Sequence, residues 1–290
     1  MKSIRCRLCD STQILQVLLQ GENKLLSCKN CGLSFRMSFP DSKKLKSYYR
    51  DGYFTQKGKI PMGYPDYDFF INSFKTYFRA ILKKLQDKNL PGRLIVDIGS
   101  GPGVFLNEAK KLGFRVMGVD LSREASLTAR SKYGIKVWLG EFEKLKISPD
   151  TIDIITCFQT LEHMKNPQKF LKTAYRMLKR GGILLITTPN NDSLWKKILG
   201  RHWFSYSHNE HLFFWGRKSL SLAFHKCGFT QQEFFSDDWR SYSFTEVLQL
   251  VRAYSGIDLT GGWLSPLTKL NGRFRIPFPI GSIGVLARKD

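Results

Sequence analysis

The chain is poor in acid. Against 46 lysines and arginines it carries 24 aspartates and glutamates, a formal net charge of +22 over 290 residues. That balance excludes an acidic, solvating protein and draws the chain towards polyanions such as nucleic acid, an anionic membrane face or phosphorylated substrates. The lysines come in scattered pairs (Lys43-Lys44, Lys83-Lys84, Lys110-Lys111, Lys196-Lys197) and never in a long run. Such pairs suit a polyanion partner and a merely lysine-rich composition equally. No arginine-rich tract, internal repeat or low-complexity segment is present. No run of 18 apolar residues occurs, so nothing is expected to span a bilayer. The first residues, "MKSIRCRLCD", lack the apolar core of a secretory signal. The expected location is therefore cytoplasmic, where thiols stay reduced.

Reduced thiols matter because four of the six cysteines fall within the first 31 residues. Cys6-x2-Cys9 and Cys28-x2-Cys31 are separated by 18 residues. Two such turns aim four thiolates at one tetrahedral ion, and the stretch between them is long enough for a hairpin. Gly32 suits the tight turn that follows. Two disulfides are disfavoured in the cytosol, and a redox CxxC does not come in pairs. The spacing predicts a structural zinc, since four thiolates leave no open position for chemistry. Cys157 and Cys227 lie in apolar periodic segments and are read as core. Residues 1–39 are thus assigned to a zinc ribbon and 40–93 to a connector with a short helix and a longer one from Asp66. Phe70, Phe74, Phe78, Ile81 and Leu85 form the apolar stripe of that longer helix.

From residue 94 the pattern alternates strand and helix, which predicts a doubly wound, mostly parallel sheet. "RLIVDIGSGPGVFLNEAKKLG" reads as a buried strand, a glycine loop and a helix. Gly99, Gly101 and Gly103 let the backbone turn sharply and approach a ligand. The spacing is GxGxG and departs from the dinucleotide fingerprint. "RVMGVDLS" ends a second strand at Asp120, followed by Leu121; a carboxylate there is placed to take two ribose hydroxyls. "KVWLGEFE" reads as a third strand, "DTIDIITCFQTLEHM" as a fourth, and a helix from Asn166-Pro167 through Leu178 stops at "RGG". "GILLITTPN", "FTQQEFF" and "SIGVLARK" complete the strands, with a helix over 217–227.

In this order the motifs "VDIGSGPG", "MGVD", "GEFEKL", "LEHMKNPQKFLKTAYRMLKRGGILLITTPN" and "HNEHLFFW" resemble the class I S-adenosylmethionine-dependent methyltransferases over residues 94–235. The resemblance implies a seven-stranded sheet with the last strand antiparallel. By position it implies that Gly99, Ser100, Gly101 and Gly103 hold the methionine end of the cofactor with Asp97 behind them. Asp120 would bind the ribose, with Leu121 beside it. Glu141 and Phe142 would flank the adenine, and Gln159 would close over the sulfonium. A zinc module in front of such a domain resembles bacterial methyltransferases of polysaccharide, lipopolysaccharide and deoxysugar pathways, which implies a small or lipid-linked sugar acceptor. Ribosomal RNA methyltransferases with a zinc ribbon share the layout, so RNA stands as an alternative acceptor, and a catalytically dead binding module as a second. The four-cysteine set and the lack of an RNA-binding motif favour the sugar.

Two further features bear on the acceptor. The insertion 236–281 is long for a connection between strands. It places Phe244, Val247, Leu248, Val251 and Tyr254 on one helical face, then mixes Trp263, Phe274 and Phe278 with Lys269, Arg273 and Arg275. That suits either a lid or peripheral contact with an anionic membrane at the inner face. "SYSHNEHLFF" (205–214) is expected over the carboxyl ends of the strands, where ligands bind, together with Glu162 and His163 from the fourth strand. His211 is read as general base or acceptor-positioning residue, assisted by His163 and Glu162. The alternative is that both histidines bond to backbone and shape the pocket; His208 is read as a loop residue. Some quinone-precursor methyltransferases use acidic residues and a histidine for a metal here, but this chain has Gln159 where that pattern wants a carboxylate.

Overall fold

The computed structural model describes residues 4–18, 24–41, 47, 70–206, 208–237, 241–248, 275–277 and 281–290. The connector helix expected within 40–65, and Val251, Tyr254, Trp263, Lys269, Arg273, Phe274 and Phe278 of the insertion, lie outside the described residues.

A seven-stranded sheet forms the body. Its strands are β4 (Leu94–Ile98), β5 (Arg115–Asp120), β6 (Val137–Leu139), β7 (Ile152–Phe158), β8 (Leu178–Pro189), β10 (Gln231–Ser236) and β13 (Ser282–Arg288), in the spatial order β10-β13-β8-β7-β4-β5-β6. The β4, β5, β6, β7 and β8 pairings are parallel, and β13 runs antiparallel to both β8 and β10. This is the doubly wound, mostly parallel sheet that the alternating pattern predicts, with the seven strands and antiparallel last strand that the family resemblance implies. Continuous apolar runs such as "LIVDI" and "IDIITCF" form the central strands because helices cover both faces, leaving no exposed side to make polar. The chain enters the sheet at β4, builds outward through β5 and β6, then crosses back to β7 and β8. The carboxyl ends of β4 and β7 therefore flank a topological switch point, where a crevice opens.

The helices follow from ordinary local rules. Ser122 caps α3 (Arg123–Tyr133) by accepting from the Ala125 amide at 3.2 Å. Asn166 caps α4 (Pro167–Met177) by accepting from the Lys169 amide, with Pro167 at the first helical position, where its missing N–H costs nothing. α1 (Ile71–Gln86) buries Phe74, Phe78, Ile81 and Leu85 as its periodicity predicts, with Phe70 packed just before it. Two boundaries differ from expectation. β6 ends at Leu139, and residues 142–144 turn into a 3-10 helix, because Gly140 at φ +153 leaves the sheet plane. α4 stops one residue early, and Leu178 already belongs to β8, so "RGG" lies inside a strand with Gly181 at φ +74.

The cysteine module does not stand apart. β1 (Ile14–Leu18), β2 (Lys24–Cys28) and β3 (Ser34–Arg36) form a meander, and β3 pairs with β9 (Phe213–Phe214) from the body of the chain. Cys6, Leu8, Leu33 and Phe35 share one apolar cluster with Ile98, Phe170, Leu212 and Trp215. Of the insertion, β11 (Ser241–Ser243) and β12 (Arg275–Pro277) pair antiparallel, and residues 244–248 are helical. Tyr242 and Val247 pack into the cluster of α1. Arg275 donates to the Ser241 carbonyl and to Ser73 and faces Glu246, so its charge is spent inside the molecule.

Candidate functional site

The cradle after β4 is built from three glycines in the left-handed region: Gly99 at φ +71, Gly101 at +50 and Gly103 at +80. At Gly99 the requirement is double, because a Cβ there would lie 2.3 Å from Thr160 Oγ1. That contact sets the loop directly against the end of β7. The amides of Gly99 and Ser100 donate to the Val119 carbonyl at 2.8 and 3.2 Å, tying the loop to β5. Asp120 closes the cradle: one carboxylate oxygen accepts from the Gly101 amide at 2.8 Å, the other from the Ser122 amide at 2.7 Å. Ser100 Oγ is buried and has no hydrogen-bond partner among the described residues. A glycine-lined cradle closed by a carboxylate suits a polar ligand with a ribose.

Asp97 lies beneath this loop, 2 % exposed, accepting from Thr156 Oγ1 at 2.7 Å. Burial pushes its carboxyl up to about 8; the Thr156 bond opposes that rise, and the charge of Asp120 adds to it. Burial likewise raises Asp120, opposed by its backbone amide donors. Leu121 is exposed, and Leu139, in register with Asp120, is exposed beside it. Leu139 went unnoticed in the sequence because an exposed leucine on an edge strand has no pattern of its own. Glu141 is half-exposed and pairs with Lys144 at 3.1 Å. Phe142 turns into the core, 3 % exposed against Phe170. Gln159 holds a positive φ of 45°, uncommon outside glycine. Its side-chain amide reaches Thr187 and Ser282 at 3.3 Å each.

Beyond Thr160, Glu162 and His163 sit on a 3-10 turn, and the Glu162 carbonyl accepts from the Leu212 amide at 2.8 Å. The structure thus brings "SYSHNEHLFF" onto the same sheet edge. The His163 and His211 rings meet edge to face at 4.9 Å, and His208 stacks on His211 at 4.8 Å. His208 lies in a loop, as expected, and from there its ring joins the cluster. Glu162 accepts from Thr188 Oγ1 at 3.0 Å and approaches His163 at 3.9 Å. Glu210, which sequence alone did not single out as catalytic, is 1 % exposed and faces His208 at 3.4 Å. Burial raises its carboxyl, but the His208 hydrogen bond and the His163 and His208 rings together bring it below the ordinary range.

His211 Nδ1 lies 3.0 Å from the Ser205 carbonyl. A carbonyl only accepts, so Nδ1 carries the proton and Nε2 bears the lone pair. Burial, then the neighbouring His208 and His163, holds His211 well below its ordinary value, and burial takes His163 down to about 4. Both rings are neutral near pH 7. Glu162, His163 and His211 also bring ligand atoms within 4.8 Å of one another. Gln159, where the resemblance to quinone-precursor methyltransferases would want a carboxylate, offers a neutral amide whose nitrogen is engaged.

The four cysteines converge as their spacing predicts. Cys6 and Cys31 sulfurs are 3.6 Å apart, and those of Cys9 and Cys28 are 3.5 Å apart. A tetrahedral zinc with bonds of about 2.3 Å needs sulfurs separated by about 3.8 Å, so the set fits with small adjustment. The Leu8 amide and Asn30 Nδ2 point at Cys6 and Cys9 sulfurs at 3.4 and 3.6 Å. The contact with Cys31 draws Cys6 down to about 5, and the same contact pushes Cys31 up. Thiols this close cannot all ionise unless a cation sits among them.

Comparison with known proteins agrees with this geometry. A family model described as a methyltransferase domain matches residues 71–233, more than half of the chain. The ubiquinone biosynthesis O-methyltransferase of Glaesserella parasuis is 33% identical over 121 residues, covering 38% of this chain and 51% of that one. An uncharacterized protein of Methanocaldococcus jannaschii is 31% identical over 133 residues, covering 46% and 62%. The chain spans about half the length of the curated relatives it matches. Among solved structures, phosphoethanolamine N-methyltransferase 2 of Haemonchus contortus, in complex with S-adenosyl-L-methionine, superposes with a TM-score of 0.54 at 19% identity, covering 95% of this chain and 71% of that one; at this identity the likeness shows the fold. The chain belongs to the methyltransferase domain family, with the class I S-adenosylmethionine-dependent fold.

Proposed function

We propose that this chain transfers a methyl group from S-adenosylmethionine to a small sugar, free or lipid-linked, at an acceptor atom that must lose a proton. The observation that carries the reading is the buried, neutral His211 with its Nε2 lone pair, gathered with His163 and Glu162 at the end of β7. When bound, S-adenosylmethionine supplies a methyl carbon made electrophilic by its sulfonium sulfur. Asp120 and the Gly99–Gly103 loop hold the ribose and methionine parts, and Leu121 and Leu139 offer apolar walls next to them. His211 Nε2 accepts the acceptor's proton as its bond to the methyl carbon forms, and His163 and Glu162 fix the acceptor. The four cysteines hold a structural zinc. Labelled methyl from the cofactor is expected in glycolipid or nucleotide-sugar fractions; label in total RNA alone would overturn the acceptor assignment. Asp120→Ala removes a charge-assisted bond worth ~1.5–3 kcal/mol, so calorimetry should show roughly 10- to 150-fold weaker cofactor binding.

The lipid-linked form of the acceptor has support from α5 (Leu194–Leu199). Leu194 and Ile198, one turn apart, are 70 % and 66 % exposed, with Lys196 and Lys197 on the same short helix. Apolar tips among cations suit an anionic bilayer surface. The protein should co-sediment with vesicles containing phosphatidylserine and lose that binding in Leu194→Ser/Ile198→Ser. Vesicle binding unchanged in the double variant would remove this support.

A further inference from the structure

The cysteine module reaches into the candidate site through one side chain. Arg36, at the end of β3, is 4 % exposed. Its Nε donates to the His211 carbonyl at 2.8 Å, and its Nη2 donates to the carbonyls of Tyr206 and His208 at 3.1 and 2.8 Å. The Arg36 amide adds a bond to the Leu212 carbonyl at 2.9 Å. Arginine is almost never this buried unless its charge is met, and here three carbonyls of a single loop meet it. The β3–β9 ladder alone holds only Ser34 to Phe214 and Phe35 to Phe213, both past the loop's end. The loop that carries His211 is thus fastened by the guanidinium fork. A fork with fixed geometry suits three acceptors that must keep their places, where a lysine would satisfy one or two.

We propose that Arg36 is a positioning residue for His211, and that the cysteine module thereby serves acceptor activation as well as folding. This rests on the methyl-transfer reading in which His211 is the base. Two effects of Arg36 act together. Fixing the loop keeps the Ser205 carbonyl on His211 Nδ1, which holds the lone pair on Nε2. Its positive charge also disfavours a proton on His211, alongside His163 and His208; Glu162 and Glu210 are the acidic groups of the same cluster. A neutral glutamine at position 36 would release both constraints, and a lysine only the first.

The test is nitrogen-15 NMR of histidine-labelled full chain, with His211 assigned by its loss in His211→Gln, and calorimetry with S-adenosylmethionine on the same samples. In the wild type, His211 should show one tautomer, protonated on Nδ1, at neutral pH and should stay neutral below its ordinary 6.5. In Arg36→Gln its tautomers should mix and its titration midpoint should rise by roughly one unit or more, with cofactor affinity within about twofold. Arg36→Lys should mix the tautomers with a smaller shift, and it serves if the glutamine variant does not fold. A His211 signal with wild-type tautomer and titration in whichever variant folds would overturn the proposal. Failure of the wild type to bind the cofactor would sink the methyl-transfer reading and still leave the clamp measured by NMR.

Discussion

Acidification should destabilise this protein through His163, by an amount that the site itself sets. The ring is 10 % exposed and is held at about 4, against an ordinary value of 6.5, because burial penalises its charged form. In the unfolded chain the ring takes a proton as the pH falls through 6.5, whereas in the folded chain it refuses one until about 4. The stabilising preference is therefore complete above 6.5 and is lost progressively as the pH drops towards 4. At about 1.4 kcal/mol per unit, the gap amounts to about 3 kcal/mol. The measurement is urea unfolding of the wild type and His163→Gln at several values between about pH 7.5 and 4. Subtracting the two removes every group they share. The wild type should lose stability relative to the variant by up to about 3 kcal/mol on acidification, a midpoint shift of about 1 M urea. If the difference stays constant to within about 0.5 kcal/mol, the ring is hydrated in the folded protein, and the buried, neutral cluster is a misreading.

Asp97 supplies the opposite sign. Its folded value of about 8 lies above the ordinary 3.8, so its contribution is present at low pH and is lost as the pH rises towards 8. Asp97→Asn should accordingly gain in melting temperature relative to wild type between pH 5 and pH 8; an unchanging difference would mean that Asp97 ionises freely. Metal analysis of the purified protein should give one zinc per chain, and Cys28→Ser should lose it and unfold the β1–β3 meander. A zinc-free preparation with that meander intact by hydrogen exchange would falsify the structural role of the metal.

The parts of the site that were legible in sequence are those fixed by short-range chemistry. Gly99, Gly101 and Gly103 advertise a backbone that only glycine adopts easily, and Asp120 follows at the distance one helix and one strand require. The cysteine pairs are readable for the same reason, since two residues between thiols is a geometric demand of one ion. What escaped lies in long-range pairing. Arg36 looks like any other cation in a chain of net charge +22, and only folding places it against carbonyls some 170 residues away. Glu210 stands in a polar stretch that reads as exposed, yet it is 1 % exposed because β9 draws the stretch beneath the cysteine module. The family resemblance places Phe142 with Glu141 at the adenine, and sequence alone does not show that the 3-10 turn puts its ring in the core.

The buried polar groups also explain why the charge of the whole chain says little about its chemistry. Asp97, Asp120, Glu162, Glu210, His163 and His211 are concentrated at one sheet edge, each at most about a tenth exposed. A fold selected for stability alone has no reason to gather six ionisable groups where desolvation penalises each of them. Four of the shifts share one logic: Asp97 and Asp120 rise, His163 and His211 fall, and each moves away from charge, while Glu210 beside His208 moves the other way. Such an edge fits the proposed methyl transfer, in which a cationic cofactor binds and a proton leaves the acceptor.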